Sequence, residues 1–161
     1  MITLAEHTLE LGKLLVNFQS LEFALRAFLS TIERPNDKAA ETPAIEDLKE
    51  GDEVPEDAFT NYDSLRELLK KYNDAVARSS VGEAIDDDLV TLRDALAHGR
   101  VWSLEPLPPL RLLKFKKPVE SRTEVAYSAV MDEAWFRSNR SRIHAALTRV
   151  SEAQERTRRA T

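Results

Sequence analysis

The chain has no cysteine. Disulfides, thiolate metal sites and cysteine nucleophiles are therefore excluded, and a reducing cytoplasm is the expected home. Histidine is scarce too: His7, His98 and His144 are the only three, so any imidazole chemistry must use one of them. No apolar run approaches the roughly 18 residues that suggest a membrane span. The opening Met1-Ile2-Thr3-Leu4-Ala5-Glu6-His7 lacks the basic start and apolar block of a signal peptide. With four glycines in all, the sequence contains no glycine-rich phosphate loop, serine-hydrolase elbow or dinucleotide fingerprint.

What is present is an ordinary globular composition. Apolar residues make up 42% and charged residues 32%, which argues against disorder, and 161 residues suit one domain over residues 1–161. The charge is uneven. Residues 1–98 carry 10 Lys+Arg against 21 Asp+Glu, a balance of −11, whereas residues 99–161 carry 13 against 7, a balance of +6; together they give the net −5. The C-terminal third could thus supply a basic surface for a polyanion. Much of the acidic excess sits in one stretch, residues 34–63, with 10 acids and 3 bases.

Leu4, Leu11, Phe18, Leu25 and Ile32 recur every seven residues, with Leu14, Leu21, Phe28, Leu15 and Leu29 alongside, which predicts an amphipathic helix over about residues 3–33. Glu22 interrupts this stripe. It is either an edge carboxylate that reaches water or Arg26, or a partly buried carboxylate that orients a cationic site residue. Residues 34–58, rich in proline and acids, read as a flexible loop, with a short helix around Ile45–Leu48. Apolar spacing predicts helices over 58–79 and 83–98, and Gly99 is expected to stop the latter in a left-handed conformation. Residues 100–130 alternate like short strands, with Lys116–Arg122 as a turn, and a last helix is expected over 132–156, ahead of a frayed tail at 157–161. The architecture expected is mainly α: a four- to five-helix bundle with a small antiparallel β-hairpin or meander inserted before the last helix.

Chemistry concentrates in Thr91-Leu92-Arg93-Asp94-Ala95-Leu96-Ala97-His98-Gly99-Arg100. An imidazole exchanges protons near neutral pH, and a guanidinium holds a phosphate and stabilises charge in a phosphoryl transition state. Together they suffice for RNA cleavage without a metal or cofactor. Asp94, one helical turn before His98, could orient the imidazole. Lys114, Lys116 and Lys117, with Arg122, Arg137, Arg140 and Arg142, could form a phosphate-binding surface, and Trp102 or Trp135 could stack on a base. Asp86-Asp87-Asp88 reads as a solvated helix start rather than a metal cluster, because successive helical positions diverge.

Arg93, the polar Asp94, and His98 after four intervening residues resemble the signature of the HEPN superfamily, the nucleotide-binding helical domains of higher eukaryotes and prokaryotes. The flanking Leu92, Leu96-Ala97 and Gly99 and the helix containing Leu21-Glu22-Phe23-Ala24-Leu25-Arg26 are similar to the family's context. The resemblance implies a homodimer whose two motifs face one cleft. It also implies, in many members, a metal-independent endoribonuclease of a toxin or defence system, with RNA as substrate and a protein antitoxin or regulatory partner. Other members serve as non-catalytic binding modules. Glu22 and Arg100 would support the catalytic set. Some toxins of the family carry a tyrosine where this chain has Arg100, which puts in doubt a partner that modifies that tyrosine.

Two alternatives stay open. Arg137 and His144, with six residues between them, also fit the Arg/His spacing. Arg93 and His98 lie about 140° apart on an ideal helix, with Leu89, Leu92 and Leu96 between, so convergence on one phosphate needs an unwound last turn or a second subunit. A purely structural Arg93, paired with Glu22 or with Asp86–Asp88, would leave a helical interaction module whose acidic loop repels RNA or receives a basic partner.

Overall fold

A computed structural model of the chain describes residues 2–33, 47–103 and 108–160. In chain order its elements are α1 (Leu4–Glu33), α2 (Leu65–Ser79), α3 (Asp88–His98), β1 (Arg100–Trp102), β2 (Arg111–Phe115), β3 (Val125–Val130) and α4 (Glu133–Ala160). The protein is mainly helical, with a small antiparallel sheet ahead of the last helix. No helix among the described residues is long and apolar enough to cross a membrane. The chain divides into two compact units, Met1–Leu21 with Asp86–Leu147, and Glu22–Ile85 with Thr148–Thr161.

In the first unit, Thr3 opens α1 with a reciprocal cap: Thr3 N–H donates to Glu6 Oε2 (2.8 Å) and Glu6 N–H donates to Thr3 Oγ1 (3.2 Å). Leu14, Phe18 and Leu21 are buried, as the heptad pattern expects, but Leu4 and Leu15 are 54% and 46% exposed. His7 takes the buried position near the start of the helix, with its ring edge-on to Phe136 of α4 at 5.1 Å. Asp132 caps α4 by accepting from Trp135 N–H at 2.7 Å.

The sheet has the order β1-β2-β3, antiparallel throughout. Opposite β2 on β1 stand Arg100↔Leu113, Val101↔Leu112 and Trp102↔Arg111; on β3 stand Arg111↔Val130, Leu112↔Ala129, Leu113↔Ser128 and Lys114↔Tyr127. Leu112 is 1% exposed and α3 packs on β2. Residues directly opposite share a face. The inner face therefore bears Val101, Leu112, Lys114, Tyr127 and Ala129, and the outer face bears Arg100, Trp102, Arg111, Leu113, Ser128 and Val130. Beyond a register shift at Lys114/Phe115, the hairpin closes at Val119 and Arg122, which exchange both backbone hydrogen bonds (2.8 and 2.9 Å) around Glu120 (φ 48°) and Ser121 (φ 63°).

In the second unit, Leu25, Phe28 and Leu29 of α1, six residues of α2, Ile85, Val150 and Ala153 are buried. Phe28 meets Tyr72 edge-on at 5.1 Å, and Tyr72 Oη donates to Glu83 O at 3.1 Å. Arg26 anchors the approach to α2, donating to the carbonyls of Ala58 (3.3 Å), Asn61 (2.9 Å) and Asp63 (2.7 Å) and to Asn61 Oδ1 (2.8 Å).

Several boundaries differ from the sequence expectation. The second helix starts at Leu65, not near 58, because Ser64 and Glu67 form a capping box there. The third starts at Asp88, not near 83, because Ile85 is held outside it: Ile85 N–H donates to Asn73 Oδ1 (2.8 Å) and Asn73 Nδ2 donates to Ile85 O (2.9 Å). The last helix continues to Ala160, so residues 157–160 of the tail expected to fray are helical. Gly99 is extended (φ −77°, ψ 174°), not left-handed. Glycine is required there by space: a Cβ would collide with the Ala95 carbonyl and come within 2.7 Å of Leu112 Cδ1 and 3.0 Å of Leu113 O. Residues 34–46 of the acidic loop, with Ile45 of its expected short helix, lie outside the described residues.

Candidate functional site at the end of helix α3

Helix α3 buries Leu89, Val90, Leu92 and Ala95 and so turns Arg93, Asp94, Ala97 and His98 away from its most buried side. Arg93 and Asp94 are half-buried, and His98, in the last turn, is exposed. The helix closes with Gly99 N–H donating to Ala95 O at 2.7 Å. Its carbonyl end favours positive charge, and His98 is the basic group there.

Asp94 is the centre of this cluster. Lys114 Nζ, rising from the inner face of β2, donates to Asp94 Oδ2 at 2.9 Å. This hydrogen bond is the main reason the Asp94 carboxyl is held below the usual carboxylate range; the charges of Lys114, His98 and Arg93 act in the same direction, against a smaller effect of burial. Three basic groups from two elements therefore act on one carboxylate. The acid pairs with a lysine that lies 20 residues further on, which helical spacing could not reveal.

Arg100 opens β1, and its guanidinium lies over the Phe115 ring at 5.3 Å from the centroid. Lys116 pairs with Glu124 at 2.5 Å, and Lys117 is exposed in the connection between β2 and β3. Lys114, expected among the phosphate-binding lysines, is the partner of Asp94 instead of an open contact. Glu22 is half-buried and belongs to the second unit, while Arg26 makes its hydrogen bonds with the 58–63 segment. Arg137 and His144 are both exposed on α4. Arg137 helps line an open cavity of about 310 Å³ with Glu6, Glu10, Glu133, Phe136 and Arg140. Among the described residues, no group of three or more metal-ligating side chains converges, and Asp88 lies 3.7 Å from Arg142.

The two tryptophans part company. Trp135 is half-buried, donates Nε1–H to Tyr127 Oη at 3.2 Å and sits edge-on to Phe136 at 5.1 Å, so it is a packing residue. Trp102 is 48% exposed on the sheet.

In comparison with known proteins, the chain matches no family model, no curated protein and no solved structure. Its class is given by its architecture, a mainly helical protein with a small antiparallel sheet between α3 and α4.

Proposed function

We propose that the chain is a HEPN-like helical protein acting as a metal-independent endoribonuclease of the toxin or defence type, with Arg93, Asp94 and His98 as its catalytic set in a homodimer cleft. The observation that supports this reading is the Asp94–Lys114 ion pair, 2.9 Å, set between Arg93 and the exposed His98 at the end of α3. The carboxylate holds positive groups near the place where a phosphate would sit. In the proposed reaction, His98 takes the proton of a ribose 2′-hydroxyl and the 2′-oxygen attacks phosphorus. The bond from phosphorus to the 5′-oxygen breaks, and that oxygen takes a proton from the imidazolium of a second copy. Arg93 stabilises the charge on the pentacoordinate phosphorus, and Arg100, two residues beyond His98, steadies the strand. The products are a 2′,3′-cyclic phosphate and a 5′-hydroxyl. A second copy also answers the divergence of Arg93 and His98 on one helix. No cofactor is needed, because proton transfer and charge stabilisation both come from side chains.

A second reading, a non-catalytic HEPN-like module for a nucleotide or a protein partner, is favoured by one feature: Asp94 makes its hydrogen bond with Lys114 and none with His98. One experiment separates the two. Wild type, His98→Ala, Arg93→Ala and His144→Ala are incubated with single-stranded and structured RNA in EDTA. The nuclease reading expects cyclic-phosphate ends from wild type and His144→Ala, and losses of about 100-fold or more in the other two. Intact RNA with every folded protein supports the binding module. An inactive His144→Ala beside an active His98→Ala moves the site to Arg137/His144.

A further inference from the structure

The outer face of the sheet combines three properties. It is basic: Arg100 and Arg111 share it, and none of its paired strand residues is acidic. Its cations are unengaged: among the described residues Arg111 makes no side-chain hydrogen bond or ion pair, and Arg100 makes only its contact with the Phe115 ring. It is also open and apolar between the charges, with Trp102 at 48% and Val130 at 40% exposed. Trp102 stands directly opposite Arg111, and the Arg100 guanidinium covers Phe115, one pair further along β2. Two flat groups, an indole and a guanidinium, are thus offered on one pleated surface with two positive charges beside them. Such a surface suits a ligand with flat, unpaired rings on a polyanionic backbone. A single-stranded nucleic acid has both, whereas a duplex hides its ring faces. An acidic polypeptide would match the arginines but leave Trp102 without a stacking partner.

We infer that the outer face of β1–β3, through Trp102, Arg100 and Arg111, is a stacking platform for single-stranded RNA. The inference rests on the nuclease reading only in naming RNA as the substrate, and it specifies which RNA: unpaired. β1 begins two residues after His98, so a strand lying across Arg100 and Trp102 continues directly from the α3 terminus. Phosphates meet Arg100 and Arg111, one base stacks on the Trp102 indole, and a neighbouring base stacks on the Arg100 guanidinium above Phe115.

The test reads binding without cleavage, using the full-length His98→Ala protein and fluorescence anisotropy of a labelled oligouridine. An RNA duplex of equal length and polyglutamate serve as competitors. Oligouridine is expected to bind, to outcompete both, and to quench Trp102 fluorescence. Trp102→Ala should weaken binding roughly 5- to 100-fold, and Trp102→Phe should restore much of it. The Arg100→Gln/Arg111→Gln double variant should lower the slope of log affinity against log salt by about 1.4, two single-strand phosphate contacts. Arg66→Gln, an exposed charge on α2, should change nothing. Absent binding by folded protein, equal preference for duplex, indifference to the Trp102 and arginine variants, or preference for polyglutamate would each overturn the inference. If the platform fails while the wild type cleaves RNA, the nuclease reading stands alone. If it binds and nothing cleaves, the platform stands and the nuclease reading falls.

Discussion

Arg26 and Arg111 show how differently this molecule uses the same side chain. Arg26 is half-buried and donates four hydrogen bonds, three of them to main-chain carbonyls of the segment before α2. Those carbonyls have no helix or strand of their own to satisfy them, so the guanidinium does the work of secondary structure. Arg111 is exposed on the outer face of β2 and engages no side chain or carbonyl among the described residues. One arginine completes a fold; the other is left with its donors facing solvent. The same contrast separates Trp135, hydrogen-bonded to Tyr127, from Trp102.

The contrast can be broken by experiment. Arg26→Met should lower unfolding stability by about 3 kcal/mol, since charge-assisted hydrogen bonds are lost and buried carbonyls are orphaned. Arg111→Met should stay within about 0.5 kcal/mol of wild type. Urea titration of both checks the pair, and comparable losses would mean that Arg111 is structural after all. Next in size, Gly99→Ala should cost about 2 kcal/mol and loosen the start of β1, because the added carbon meets main-chain oxygen atoms that cannot move aside independently. Hydrogen exchange at Val101 and Trp102 should report it.

Acid should act on the first unit through His7. Its ring is 1% exposed, its Nε2 has no hydrogen-bond partner, and burial pushes its pKa below the ordinary imidazole value. A depressed histidine binds its proton more readily when unfolded. Its stability contribution is therefore complete above the ordinary value of about 6.5 and declines as pH falls below it, by at most ~1.4 kcal/mol per pH unit. His7→Leu should flatten thermal stability between pH 7 and 5, although Glu6, Glu10, Glu133, Arg137 and Arg140 nearby keep some dependence. Asp94 behaves as a depressed carboxylate. Its contribution is present above the ordinary carboxylate pKa and is lost as pH falls through the lower folded value, and exposure keeps it small. Lys114→Met should move the Asp94 titration upward in a carboxyl NMR experiment.

The smallest effect belongs to the hairpin tip. Glu120 and Ser121 both hold the left-handed conformation that a two-residue turn of this kind assigns to Asn-Gly. Glu120→Asn with Ser121→Gly should raise stability by about 1 kcal/mol or less, read as a melting shift, without affecting the RNA binding proposed for the outer face.

The helices were legible where burial and periodicity agree. Leu14, Leu21, Leu25 and Phe28 mark α1 correctly because one stripe of one helix is buried along most of its length. The reading overshot where an apolar period ran past the hydrogen bonds that end a helix. Phe59 continues the spacing of α2, yet it lies in an irregular segment where it packs edge-on against Phe23 at 5.3 Å. The Ser64-x-x-Glu67 cap was visible in the sequence and gives the true start. At the candidate site, Arg93, Asp94 and His98 were named from one local motif, and their placement at the end of α3 follows from it. The Asp94–Lys114 pair and the outer-face arginine Arg111 were not legible as site features, because both depend on strand register.

By itself, the sequence determined the mainly helical class, the order of the long helices, the insertion of a small sheet before the last one, and the glycine that ends α3. These follow from local periodicity, capping and turn chemistry, which act between residues a few positions apart. Only the tertiary structure decided that Gly99 is needed for close approach rather than for a left-handed turn, that Asp94 faces Lys114, that Arg26 holds the carbonyls before α2, and that Trp102 lies open while Trp135 is packed. Each of these depends on which distant backbone comes within a few ångströms. That is set by the pairing of strands and the seating of helices, which no local pattern encodes.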